Sequence, residues 1–159
     1  VSWLLLFNKT NILKIRITKQ FPFEMAHALY GYDGPCKNIH GHSYRLEVTL
    51  IGEPKNDSAV AKNGMVMDFT DLKAIVKTNI VDVFDHALVL NGNSPHRSIP
   101  DLDTTFEKVI FVDYQPTCEN LLADFKNRII SLIPSEVELK VIRLHETASS
   151  YAEWRAEDN

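Results

Sequence analysis

The sequence predicts an α+β domain in which an antiparallel sheet carries its helices on one face. Three observations support this prediction. Two long runs near the start alternate apolar and polar residues with the period of a β-strand, two amphipathic helical patterns occupy the middle, and strand-like alternation returns in the last third. Strands grouped at both ends, with helices grouped between them, are typical of an α+β fold.

The first two strands are the clearest elements. The odd positions from Leu13 to His27 are mainly apolar, and so are the even positions from His40 to Leu50 apart from the histidines themselves. If the two strands pair as a hairpin, their histidines share one face of the sheet with the apolar side chains. The polar stretch 52–58 contains Gly and Pro and predicts the loop that follows.

Two helices are predicted after that loop. The first begins with Thr70 as its N-cap and ends near Val83. The second begins at Thr117, which can cap the helix, while Glu119 in the first turn suits the helix dipole; it continues to Pro134.

The connecting segments and the last strands are predicted from shorter sequence patterns. Residues 108–114 resemble a short strand, and residues 92–106 a polar loop. Alternation at 137–141 and a final run at 151–154 predict the two closing strands. We expect residues 11–159 to form one domain, preceded by an extension at 1–10 whose order the pattern leaves open.

The bulk composition narrows the class of partner. Hydrophobic residues make up 45% of the chain and charged residues 24%, as in ordinary globular proteins. The net charge of −4 argues against a nucleic-acid surface, and the apolar run 3–7 is too short for a signal sequence or a membrane span. We therefore expect a cytoplasmic protein that acts on a small molecule, with Cys36 and Cys118 as free thiols.

Three histidines predict a metal site. His40 and His42 are separated only by Gly41 and point to one face of their strand, and His27 arrives in phase on the neighbouring strand. Any one of them alone is more often a hydrogen-bonded core residue. Three imidazoles with one open position are typical of catalytic zinc, whereas structural zinc usually has four ligands, often cysteines.

Cys36 is the second informative residue, because it lies in the loop 28–39 between the two histidine-bearing strands. A thiol beside a cation is acidified, so Cys36 is a candidate general base or nucleophile. A fourth zinc ligand and a passive buried cysteine remain alternatives. Asp85, His86 and Glu146 are candidates for a part in the same chemistry only if the fold brings them close to this thiol.

Five motifs in order resemble the 6-pyruvoyltetrahydropterin synthase and 6-carboxytetrahydropterin synthase family. The matching runs are Phe23-Glu24-Met25-Ala26-His27 with Cys36-Lys37-Asn38-Ile39-His40-Gly41-His42-Ser43-Tyr44, then Gly64 to Lys73, Asp85-His86 with Leu90-Asn91, Pro116 to Asn120, and His145-Glu146-Thr147. The resemblance spans about residues 13 to 155. It implies the tunnelling fold, or T-fold, with ββααββ subunits assembled into a barrel, typically a homohexamer of two trimers.

The resemblance also implies a reaction and a site. The substrate would be 7,8-dihydroneopterin triphosphate, and the zinc ligands would be His27, His40 and His42. Cys36 would move protons, with Asp85 and His86 as its relay from the same or an adjacent subunit.

For the pterin itself, the resemblance implies that Glu146 anchors the aminopyrimidinone edge, because a carboxylate accepts two parallel hydrogen bonds from neighbouring N–H groups. Thr117 and Glu119 would help to hold the ring.

The cysteine spacing favours one branch of the family. Animal pyruvoyl enzymes have five residues between the cysteine and the histidine pair. Here Lys37, Asn38 and Ile39 give three, as in the bacterial carboxy enzymes of queuosine biosynthesis, which release acetaldehyde and triphosphate. The alternatives are the pyruvoyl reaction, a non-catalytic zinc and pterin binder, and a structural metal domain. The loop 92–106 is either a triphosphate contact or a surface insertion.

Overall fold

A computed structural model describes residues 13–159, and the predicted extension at 1–10 lies outside them. The fold is built on a hairpin of two thirteen-residue strands, β1 (Ile15–His27) and β2 (His40–Gly52), which pair antiparallel along their whole length. Two further antiparallel strands, β5 (Val137–His145) and β6 (Tyr151–Arg155), extend the sheet beyond β2. The two strands predicted at the start of the chain and the two predicted at its end are therefore confirmed.

The sheet is mixed rather than wholly antiparallel. Strands β3 (Ala87–Asn91) and β4 (Val109–Val112) run parallel to β1 and to each other, which gives the order β4-β3-β1-β2-β5-β6. The strand predicted at 108–114 is present as β4, whereas β3 was not predicted from the sequence. Four of the five β3 residues are buried, and a strand covered on both faces has no apolar and polar alternation to reveal it.

The cap of the first helix lies two residues before the predicted cap, Thr70. Asp68 caps α1 (Phe69–Val76), because its side chain accepts a hydrogen bond from the Thr70 backbone N–H at 2.8 Å. A π-helical turn (Lys77–Val81) and the short α2 (Asp82–Phe84) continue the same rod. The predicted end near residue 83 is confirmed.

The second long helix, α4 (Cys118–Ile129), begins as predicted. The Thr117 side chain accepts a hydrogen bond from the Asn120 backbone N–H at 3.3 Å, which satisfies one of the free donors of the first turn. A 3₁₀ turn (Ile130–Leu132) ends the element before Pro134. None of the helices within residues 13–159 combines the length and apolar character that crossing a bilayer requires.

The main core lies between these helices and one face of the sheet. Phe23 stacks on Tyr44 with ring centroids 5.3 Å apart, and Phe125 of α4 meets the edge of Phe23 at 6.0 Å and of Phe84 at 4.8 Å. This aromatic group packs beneath the ends of β1 and β2 that carry the histidines. The packing therefore gives those ends a rigid support.

The segment 92–106 forms a small second core. It contains a 3₁₀ turn (Pro95–Ser98) and the one-turn helix α3 (Leu102–Thr105). Leu102 is buried with Leu88 and Leu90 of β3. The segment predicted as a polar loop therefore covers one side of β3.

Candidate metal centre

Three imidazoles converge where the β1–β2 hairpin meets its connecting loop. His27 lies opposite His40 and Met25 opposite His42, so that the register places all three rings on one face. One ring nitrogen from each histidine lies within 4.8 Å of the other two, and the Nε2 atoms of His27 and His40 are 3.1 Å apart. The structure thus brings together the three predicted ligands.

Backbone carbonyls orient two of the rings. Nδ1 of His27 lies 2.7 Å from the Pro116 carbonyl oxygen, and Nδ1 of His40 lies 2.8 Å from that of Asn38. A carbonyl only accepts hydrogen bonds, so each Nδ1 carries the proton and donates it. The Nε2 atoms are then free lone pairs, which is the tautomer that a metal-binding histidine needs.

Burial keeps His27 neutral. Its side chain is 2% exposed, and this desolvation is the main cause that lowers the pKa of His27 below its ordinary value. The hydrogen bond to Pro116 opposes the shift, while the neighbouring His40 reinforces it. A neutral imidazole is the form that coordinates a metal, so His27 needs no proton loss to bind at neutral pH.

Glu146, the residue directly after β5, lies against the cluster. Its Oε1 lies 3.7 Å from Nε2 of His27 and 3.9 Å from Nε2 of His42. The Tyr44 hydroxyl donates to the same oxygen at 3.3 Å, and burial, with the Glu146 charge beside it, raises the pKa of Tyr44, so the phenol stays protonated. The imidazoles, a carboxylate and a hydroxyl donor therefore lie close together at this end of the hairpin.

The donor set fits zinc. Neutral imidazoles suit a borderline metal such as Zn²⁺, whereas Mg²⁺ and Ca²⁺ prefer oxygen ligands. His27, His40 and His42 are the residues that would hold the ion, and three protein ligands leave a tetrahedral position open for a substrate. Three protein ligands are the number that catalytic zinc sites use, whereas structural zinc sites usually have four.

Cys36 lies outside this cluster. It occupies a 3₁₀ turn (Pro35–Lys37), and its carbonyl accepts a hydrogen bond from the Leu29 backbone N–H at 2.9 Å. Its side chain is half-buried, whereas Cys118 is buried and donates to the Leu144 carbonyl at 3.3 Å. Burial raises the pKa of Cys118 to about 11, so this second thiol is a core residue.

Asp85 and His86 form a separate unit at the end of α2. Asp85 Oδ1 lies 3.0 Å from His86 Nδ1 and accepts a hydrogen bond from the Glu24 backbone N–H at 2.9 Å. That backbone bond is the main cause that holds the pKa of the Asp85 carboxyl below its ordinary value. Within residues 13–159, no hydrogen bond or ion pair joins this unit to Cys36.

The Asp85–His86 unit opens onto a concavity of about 940 Å³ that also reaches His42. Within one chain, no hydrogen bond or ion pair among residues 13–159 joins the predicted relay to the histidine cluster or to the thiol. Thr117 caps α4 directly after Pro116, whose carbonyl orients His27, while Glu119 is exposed in the first turn of that helix.

Sequence reasoning missed several polar partners of the site. Tyr44 was detectable, because it lies two residues beyond His42 on the same strand face. The carbonyls of Asn38 and Pro116 gave no signal, since every residue carries a carbonyl and only the folded chain shows which ones meet a histidine.

Comparison with known proteins agrees with this geometry. The family model described as 6-pyruvoyl tetrahydropterin synthase matches residues 16–157. This chain belongs to that family. A 6-carboxy-5,6,7,8-tetrahydropterin synthase from Haemophilus influenzae is 37% identical over 142 residues, which cover 88% of this chain and 98% of the relative. The resemblance inferred from five short motifs is therefore confirmed over nearly the whole described chain.

Solved structures share this fold. An uncharacterized Wolinella succinogenes protein, WS1659, superposes with a TM-score of 0.74 at 20% identity, covering 91% of this chain and 99% of its own. The Caenorhabditis elegans 6-pyruvoyl tetrahydropterin synthase gives a TM-score of 0.63 at 24% identity, covering 91% and 97%. The predicted α+β T-fold is thus confirmed.

Proposed function

We propose that this protein is a zinc-dependent 6-carboxy-5,6,7,8-tetrahydropterin synthase. In this proposal a cytoplasmic enzyme of queuosine biosynthesis converts 7,8-dihydroneopterin triphosphate to 6-carboxytetrahydropterin and releases acetaldehyde and triphosphate. The observation that carries the proposal is the cluster of three imidazoles, two of which hold their Nδ1 protons on carbonyls and present free Nε2 atoms. The name and nearly full-length match of the Haemophilus influenzae relative favour the carboxy branch.

The metal would be held by His27, His40 and His42. When bound, zinc supplies a Lewis acid that acidifies the hydroxyl groups of the substrate side chain. The buried His27 and its carbonyl partner keep the ligand geometry rigid, so that the substrate meets a preorganised centre.

Proton transfer is assigned to Cys36, with Asp85 and His86 as its relay. A half-buried thiol on a short turn beside the histidine strands is accessible to a substrate, whereas Cys118 is enclosed by the core. Because Asp85 and His86 make no bonded contact with Cys36 among the described residues, the proposal includes a relay supplied by a neighbouring subunit of a homohexameric barrel.

Recognition of the pterin is assigned to Glu146, helped by Thr117 and Glu119. The Glu146 carboxylate offers two acceptor oxygens beside the cluster, which suits the paired N–H groups of an aminopyrimidinone. Thr117 lies next to Pro116, so the start of α4 borders the same space.

The test is turnover of the pure, zinc-loaded protein with 7,8-dihydroneopterin triphosphate, followed by mass analysis of the pterin and trapping of acetaldehyde. The expected products are 6-carboxytetrahydropterin and acetaldehyde. Formation of 6-pyruvoyltetrahydropterin instead would replace the proposal with the pyruvoyl reaction. Recovery of bound, unreacted substrate would identify a binding protein.

A further inference from the structure

Lys108 reaches the turn that carries Asp85 and His86. This residue directly precedes β4, and its ammonium group donates hydrogen bonds to the backbone carbonyls of Asp82 at 2.8 Å and of Asp85 at 2.7 Å. Both carbonyls belong to the last turn of α2, where a helix has acceptors without partners and favours a positive charge. Lys108 therefore caps the C-terminal end of α2 from its position directly before β4.

The turn that Lys108 contacts has an unusual backbone. His86 has a φ of 59°, in the left-handed region that residues other than glycine rarely adopt. Its backbone N–H donates to the Glu24 carbonyl at 2.6 Å, while the Asp85 side chain accepts from the Glu24 N–H. Such a conformation persists only where the surroundings hold it, and the two Lys108 bonds restrain the chain immediately before it.

The pairing of β3 with β4 fixes the backbone of Lys108. The Leu88 backbone N–H donates to the Lys108 carbonyl at 2.9 Å, and Leu88 packs with Leu102 of the segment 92–106. His86 itself is exposed, with 77% of its side chain accessible, so side-chain packing holds its ring weakly. The position of that ring then depends on the backbone from which it projects.

We propose that Lys108 is a positioning residue that sets the backbone of Asp85 and His86 for proton transfer. This inference rests on the proposed function, in which Asp85 and His86 form the relay. Lys108 contacts the carbonyls of the turn and acts through His86. Its loss moves the relay without removing the metal or the pterin contacts.

The experiment compares steady-state kinetics of Lys108→Met with those of the wild-type enzyme. We expect kcat to fall roughly tenfold to a hundredfold, the effect of a small displacement of a reacting group, with KM changed less than threefold. Lys108→Arg, which keeps the charge and the donors, should restore part of the rate. The matched control is Lys73→Met, because Lys73 is an exposed residue of α1 whose side chain makes no hydrogen bond or ion pair among the described residues; this variant should behave as wild type.

A double-variant cycle separates positioning from a general structural role. If Lys108 acts through His86, Lys108→Met should cause less than a twofold further loss in a His86→Ala background. Multiplying losses in the double variant, or a wild-type kcat in Lys108→Met, would overturn the inference. Zinc content and thermal midpoint are measured first, and Lys108→Gln replaces the methionine variant if that protein does not fold. A wild-type enzyme without turnover would instead contradict the proposed function.

Discussion

Replacing His42 or His40 by alanine removes one of the three imidazoles and should weaken zinc binding by a different factor in each case. Apparent zinc affinities of four-ligand sites correspond to roughly 10–16 kcal/mol, so one ligand contributes about 3–4 kcal/mol. This is roughly a hundredfold to a thousandfold in Kd. The structure ranks the two variants. Glu146 Oε1 lies 3.9 Å from His42 Nε2 and can supply a replacement oxygen, whereas no carboxylate within residues 13–159 makes such a contact with His40.

We therefore expect Kd for zinc to rise about a hundredfold in His42→Ala and nearer a thousandfold in His40→Ala. Competition with a calibrated chelator measures both constants on metal-free protein. His145→Ala is the matched control, because His145 lies on the adjacent strand but pairs with Glu47 at 3.3 Å instead of joining the cluster. A change below about tenfold in both ligand variants would refute the metal assignment.

Four other substitutions test the remaining assignments. Cys36→Ala should keep its zinc and lose a factor of about 10² to 10⁴ in turnover, whereas Cys118→Ala should keep most of its activity. Steady-state assays compare the two variants, and equal losses would contradict the assignment of proton transfer to Cys36. Glu146→Gln should bind a pterin analogue roughly tenfold to several hundredfold more weakly, because one acceptor becomes a donor; calorimetry that finds unchanged affinity would remove Glu146 from the site. Phe125→Ala should lose about 3–5 kcal/mol of unfolding free energy in urea titrations, since the ring is fully buried, and a loss below about 1 kcal/mol would contradict the described core.

The sequence was most informative where a periodic pattern met a buried face. The alternation ending at His27 and starting at His40 predicted both the hairpin and the shared face of the histidines, and β1 and β2 follow that register throughout. The pattern failed at β3, whose run of buried apolar residues has no period. Its parallel pairing with β1 depends on a crossover through α1 and α2, which no local signal specifies.

Site geometry was predictable only for residues of the hairpin itself. Glu146 reaches the histidines because His145 is in register with Arg45 at the end of β5, and that register follows an irregularity between Thr49 and Leu50. The separation of Cys36 from Asp85 depends on where a loop and a helix end in space. Distances of this kind follow from tertiary packing, and they need the whole fold.

The carbonyl of Pro116 has a consequence for the time at which the metal centre matures during protein synthesis. All three imidazoles belong to one hairpin, so a nascent chain that has just released β2 already contains the three proposed ligands. The partner that sets the His27 tautomer lies 89 residues further along the chain and arrives only with the start of α4. Under the proposed function, zinc could therefore meet all three histidines before α4 forms, and its final affinity would be reached only when α4 brings the Pro116 carbonyl to His27.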